Sequence, residues 1–149
     1  MATHNELGKW GEELAYEHVR FGWFRILDRN WKCGHRDLDI VAIENDVLVI
    51  VEVKTRRNEQ YNDADEAVTP QKIRSLSIAA NAYVKSHSLG SMGNDIRFDI
   101  ITIVGTPETE HTLRHVRDAF LPFVWNNAGE IRPDRLSFSG RQVRINGFI

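Results

Sequence analysis

Apolar residues recur along this chain with two different periods, and the switches between them mark its elements. Leu7, Trp10, Leu14, His18 and Phe21 are spaced by three and four, which predicts a helix over roughly residues 5–21. "THNE" at Thr3–Glu6 fits a capping box, in which a hydroxyl and a carboxylate satisfy free backbone amides. Gly22 is placed to end that helix in a left-handed conformation. "FRIL" reads as a short strand closed by "DRN". Residues 37–43 and 47–55 then form two runs rich in Val, Ile and Leu around the turn "END", a hairpin pattern. Asn and Asp tolerate the positive φ of a tight hairpin turn.

Residues 58–67 are polar and read as a loop. Thr69 followed by Pro70 marks a helix start. Ile73, Leu76, Ala79, Ala80 and Tyr83 give that helix an apolar stripe to about Ser86. "SLGSMGND" is a glycine-containing loop, "IRFDIITIV" a strand, and "HTLRHV" a candidate for one more. The order is helix, three strands, helix, strand, strand. The first three strands can form an antiparallel meander. A strand reached through a helical crossover lies parallel to the strand it leaves. The expected class is therefore α/β, a mixed sheet flanked by helices. Residues 1–121 carry this pattern. Residues 122–149 form a C-terminal extension in which "LSFSGRQVRI" reads either as a small hairpin turning at Ser139-Gly140 or as a tail.

Composition narrows the class. The chain has 149 residues, 42% hydrophobic and 27% charged, as an ordinary globular domain does. No apolar run approaches the roughly 20 residues of a membrane span, and the N-terminus has no signal-peptide core. Cys33 is the single cysteine, which excludes an intrachain disulfide and suits a cytoplasmic location. A net charge of −2 argues against coating nucleic acid by bulk charge. It leaves room for local basic patches, such as Lys54 with Arg56 and Arg57, or Lys72 with Arg74.

The hairpin holds charges that its apolar strands do not call for. Asp37 and Asp39 share one face of the first strand, and Glu52 and Lys54 share a face of the second. With Asn45 and Asp46 as turn residues, Asp39 falls opposite Glu52 and Asp37 opposite Lys54. Opposed Cβ atoms are roughly 4.5–5.5 Å apart, so the four charges form one cluster. Two carboxylates that close repel unless a proton or cation sits between them. Lys54 supplies one charge. A hard divalent cation, Mg²⁺ or Mn²⁺, supplies more and suits carboxylate oxygen. Lys54 could then orient or deprotonate a water, or steady charge on a phosphorane-like transition state. The plainer reading is an exposed hairpin face carrying a surface ion pair.

An acidic residue in an early helix, an Asp in a strand and Glu-x-Lys in the next resemble the PD-(D/E)xK nuclease superfamily. "GKWGEELA", "ILDRNW", "DLDIVA" and "VEVKTR" resemble, in order, the motifs of the YraN-like family, whose members have a restriction-endonuclease-like core. "VTPQKIRSLSIAANAY", "RFDIITI" and "HVRDAF" extend the resemblance to roughly residues 6–120. It implies that Glu12 is the helix-borne glutamate and Asp39 the strand aspartate, with Glu52 and Lys54 as the Glu-x-Lys pair. It implies Asp39, Glu52 and the Val53 carbonyl as ligands of Mg²⁺. Gln71 and Lys72 would lie on a helix facing the same cleft. Where this chain reads Arg36-Asp37-Leu38-Asp39, family members often read Gly-Glu-Ile-Asp, which places Asp37 beside the ligand set rather than in it.

Other constellations are weaker. Cys33 with His35, and His111 with His115, could be assembled into a zinc site. An extended segment at 111–116 would hold that histidine pair too far apart for easy chelation. Trp31, next to Lys32, is the tryptophan best placed to stack on a base. The expected activity is Mg²⁺-dependent hydrolysis of a nucleic-acid phosphodiester, DNA at branched or otherwise structured sites. Glu12, Asp39, Glu52 and Lys54 would carry it, with Arg56, Gln71 and Lys72 meeting phosphate. The alternative from another class is a non-catalytic nucleic-acid-binding or adaptor protein on the same fold. A third reading, a homodimeric structural partner, would lean on residues 122–149.

Overall fold

A computed structural model describes residues 1–59, 68–89, 96–125 and 131–133. Helix α1 (His4–Arg20) leads into three strands, β1 (Arg25–Cys33), β2 (Arg36–Glu44) and β3 (Val47–Arg56). Helix α2 (Pro70–Ser86) connects these to β4 (Ile96–Val104) and β5 (Thr112–Phe120). The five strands form one sheet in sequence order. Only the β3–β4 pair is parallel, as a helical crossover between them requires. Short strands β6 (Phe123–Trp125) and β7 (Ile131–Pro133) pair separately, with β6 beside α2. The proposed hairpin turn at Ser139-Gly140 lies outside the described residues.

The expected helix caps are present. Thr3 Oγ1 accepts the Glu6 N–H, and Glu6 Oε2 accepts the Thr3 N–H at 2.7 Å. Thr69 Oγ1 accepts the Lys72 N–H, with Pro70 in the first turn. The hairpin turn is as expected too, with Asn45 and Asp46 at φ 50° and 64°. Each face of the sheet buries its own apolar layer. Ala15 and Val19 of α1 pack on Ile40, Ala42, Val49, Val51 and Ile101. Ile73, Leu76, Ala80 and Tyr83 of α2 pack on Val41, Leu48, Ile50 and Phe98. A sheet covered on both sides explains the near-continuous apolar runs of β2, β3 and β4.

Three local expectations are corrected. "DRN" does not close β1, which runs on to Cys33 because β2 offers it ladder partners as far as Arg36. The register shifts between Ile26 and Asp28, and Asn30 sits within the continued strand at φ 49°. Gly22 is not left-handed: α1 ends at Phe21, whose N–H donates to the Glu17 carbonyl. Phe21 leaves the apolar stripe and is 78% exposed, beside Trp23 at 91%.

Candidate active site

The site forms where β2 and β3 part company. Their ladder follows the expected register from Glu44↔Val47 to Ile40↔Val51 and stops there. The next pair would be Asp39 and Glu52. Instead, Asp39 Oδ2 accepts the Val53 N–H at 2.8 Å, so a side chain takes over a strand's bonding role. In extended backbone the N–H and C=O of one residue point the same way, toward the same partner. The Val53 carbonyl is therefore directed to the side on which Asp39 lies. Asp37 is not laddered to Lys54 across this gap. It pairs along the other edge with Lys32, whose Nζ lies 3.1 Å from Asp37 Oδ2, because β2 remains laddered to β1 there.

Glu52 is buried on the α2 face, and Lys72 Nζ of α2 lies 3.2 Å from its Oε1. The Lys72 side chain remains 41% exposed, so its ammonium touches both the carboxylate and solvent. Gln71 beside it is exposed. Lys54, two residues beyond Glu52, is half-buried. Arg56 is 7% exposed, so its guanidinium is not at the surface a phosphate would meet.

Glu12 arrives from the opposite face through a close helix–strand contact. Gly11 is buried against β3, and a Cβ there would overlap the Thr55 side chain. Glycine at this position lets α1 settle on β3 next to the acidic cluster. Arg29 of β1 fixes the same helix, bonding Glu13 at 2.8 Å and lying over the Tyr16 ring. The sequence signal for this contact was available: a mid-helix glycine costs about 1 kcal/mol relative to alanine and needs a reason.

The electrostatics follow from burial and crowding. Asp39 is pushed up to about 8, first by desolvation and then by Glu52, with smaller contributions from Glu12 and Asp37; the Val53 N–H opposes them. Glu52 is also raised, mainly by desolvation, against the pull of Lys72 and Lys54. Lys72 loses affinity for its proton through burial and regains more from Glu52 and Asp39, so its net shift is upward. Asp39 thus feels the charges of both Glu52 and Glu12. Among the described residues, however, no three His, Cys, Asp or Glu side chains are grouped closely enough to hold a metal ion.

The histidines go elsewhere. His111 packs its ring edge on Trp10, and His115 bonds Asp99 and His18. Trp31 packs against Tyr83 and His87, half-buried at the edge of the α2-side core. A polar network around Asp99, missed from the sequence, lies on the α1 face of the sheet. Asp99 Oδ1 accepts from Arg97 Nε at 2.8 Å and from the Asp118 N–H at 3.0 Å. Its Oδ2 accepts from Arg97 Nη2 and His115 Nε2. Arg97 and Arg117 both reach Glu44. The clue was an aspartate inside the apolar run "RFDIITI".

Comparison with known proteins places this arrangement among relatives. A protein of Phocaeicola vulgatus described as "UPF0102 protein" is 42% identical over 125 residues, covering 84% of this chain and all of that one. A Bacteroides fragilis relative, UPF0102 protein BF0634, is 45% identical over 122 residues, 82% of this chain and 98% of its own. Among solved structures, Pyrococcus furiosus SfsA in complex with Ca²⁺ is similar at 14% identity and a TM-score of 0.37. That match covers 74% of this chain and 62% of that one, and is too loose to carry an argument. The YraN-like resemblance read from the motifs agrees with the family match, which spans residues 11–103 and both strands of the acidic hairpin. The chain belongs to the Uncharacterised protein family UPF0102.

Proposed function

We propose that this protein is a divalent-metal-dependent nuclease that hydrolyses DNA phosphodiesters, with branched or otherwise structured DNA as its substrate class. The observation that carries the reading is the pair Asp39 and Glu52. Two crowded carboxylates with raised proton affinity stand where the β2–β3 ladder has ended. Such a pair costs stability unless a cation neutralises it. Two carboxylates and the Val53 carbonyl form an all-oxygen donor set, which fits Mg²⁺ or Mn²⁺. When bound, such an ion would supply Lewis acidity and a more acidic water.

The chain's own groups divide the remaining work. Val53 N–H holds the Asp39 carboxylate in place. Lys54 orients or deprotonates the attacking water, or steadies charge on the phosphoryl oxygens. Glu12 adds a third carboxylate from α1, positioning a second ion or a water. Lys72 and Gln71 present donors to a phosphate at the solvent side.

One observation favours the second reading, a non-catalytic nucleic-acid-binding or adaptor protein. Glu52 already has Lys72 Nζ at 3.2 Å, and the described carboxylates are not gathered into a ligand trio. The deciding experiment incubates the protein with linear, nicked, flapped and four-way-junction DNAs in Mg²⁺ or Mn²⁺. Cleavage of any structured substrate, abolished by Glu52→Gln, supports the nuclease. Tight metal-independent binding with no cleavage of any substrate replaces it with the binder.

A further inference from the structure

His18 of α1 and His115 of β5 meet across the α1 face of the sheet, His18 Nε2 lying 3.0 Å from His115 Nδ1. The other nitrogen of His115 lies 2.8 Å from Asp99 Oδ2. Asp99 is fully buried and accepts from two Arg97 nitrogens and the Asp118 N–H. Burial alone would raise its pKa, but these donors hold it below the ordinary carboxylate value. An ionised carboxylate only accepts, so His115 Nε2 carries a hydrogen. With His115 Nε2 fixed as a donor, the pair takes up protons at His115 Nδ1 and at the two nitrogens of His18.

With both rings neutral, His115 Nδ1 has a lone pair and His18 Nε2–H donates to it. With one added proton on the pair, one facing nitrogen still donates and the other still accepts, whichever ring holds the proton. The contact survives. With two added protons, both facing nitrogens carry hydrogen and no lone pair remains between them. The bond is lost, and two cationic rings face each other at contact distance. The surroundings give no relief. Asp99 and Glu44 are already matched by Arg97 of β4 and Arg117 of β5, and Phe24, stacked on His115, is neutral. Glu17 of α1 is engaged with Arg20. No third His, Cys, Asp or Glu completes a metal site here among the described residues, so the pair suits a proton rather than a metal ion.

We propose that His18 and His115 form a proton-operated latch. It holds the last turn of α1 on β5 while the pair carries at most one added proton, and it opens when both rings are protonated. The direction of the His18 titration agrees: burial first, then His115 and Arg117, lower its pKa. A histidine with a lowered folded pKa contributes stability that is present above its unfolded value and is lost as pH falls through the folded one. Leu7, Gly11 and Ala15 keep the earlier turns buried, so opening is confined to the end of the helix. The same helix carries Glu12 at its middle, beside the acidic cluster.

The test reads the helix, not an activity, and so stands apart from the nuclease proposal. Amide hydrogen exchange at Val19, Arg20 and Phe21 is followed from pH 8 to pH 5, corrected for intrinsic exchange, alongside NMR titration of both imidazoles. Protection at these amides is expected to fall about tenfold as the second proton binds. In His18→Gln the side-chain amide still donates to His115 Nδ1 but does not titrate, so protection should stay level. Wild-type protection that is flat across the range overturns the latch. So does an equal loss in His18→Gln, or a loss whose midpoint differs from the second imidazole step.

Discussion

Thr55 of β3 fills the space in which Gly11 of α1 would carry a side chain. The contact brings Glu12 to the strand that bears Glu52 and Lys54. Gly11→Ala should therefore destabilise the protein by about 1–3 kcal/mol, despite alanine's better helix propensity. Thr55→Gly in the same chain should recover much of the loss. Gly8 is the internal control, since nothing lies within 4 Å of an added Cβ there. Gly8→Ala should stabilise by about 0.5–1 kcal/mol. Urea unfolding of the wild type and the three variants measures all of this, and a neutral Gly11→Ala would mean that α1 does not seat on β3 as described.

Asp39→Asn should make the metal-free protein more stable at alkaline pH. The folded pKa is raised from 3.8 to about 8, so the native state holds a proton that the unfolded chain releases. Wild-type stability from this group is present below pH 4 and is lost as pH rises toward 8. Asparagine has no such loss and can still accept the Val53 N–H. The gap should be negligible near pH 4 and reach at least about 1 kcal/mol at pH 9. Chemical denaturation in chelator at both pH values checks it. Calorimetry with Mg²⁺ should find weaker binding in the variant; unchanged affinity would remove Asp39 from the ligand set.

Lys54→Ala separates the two functional readings. A group acting mainly in the transition state affects rate far more than affinity. The variant should lose on the order of 10²-fold in cleavage rate with little change in DNA binding. Under the binding reading it should instead weaken binding modestly and shallow the salt dependence by about one unit. Rate and salt-dependent affinity on one junction substrate distinguish these outcomes.

Asp99→Asn should cost about 3–5 kcal/mol, because it removes a fully buried anion that matches Arg97 and leaves the guanidinium short of charge. The wild-type contribution is present above the unfolded carboxylate pKa near 3.8. It fades as pH falls toward the depressed folded value. Urea midpoints from pH 3 to pH 7 should therefore converge for wild type and variant at the acid end. Parallel curves across that range would assign the loss to packing rather than charge.

Both helices, their N-caps, the hairpin turn and the β2–β3 register were legible in the sequence, because each depends on residues within a few positions of one another. Thr3 and Glu6, Thr69 and Pro70, and Asn45 and Asp46 set local backbone geometry wherever the rest of the chain lies. That register also placed Asp39 and Glu52 side by side. Where the ladder ends was decided by tertiary structure, since β1 keeps hold of Asp37 while Asp39 turns to the Val53 N–H. The length of β1 past "DRN" likewise depended on a partner strand, which no local propensity encodes. The pairing of Glu52 with Lys72 joins residues from two elements, and the Asp99 network joins residues from β2, β4, β5 and α1. Spacing along a chain fixes which side chains share a face. Only packing brings faces from distant segments together, and with them the charges that burial then shifts.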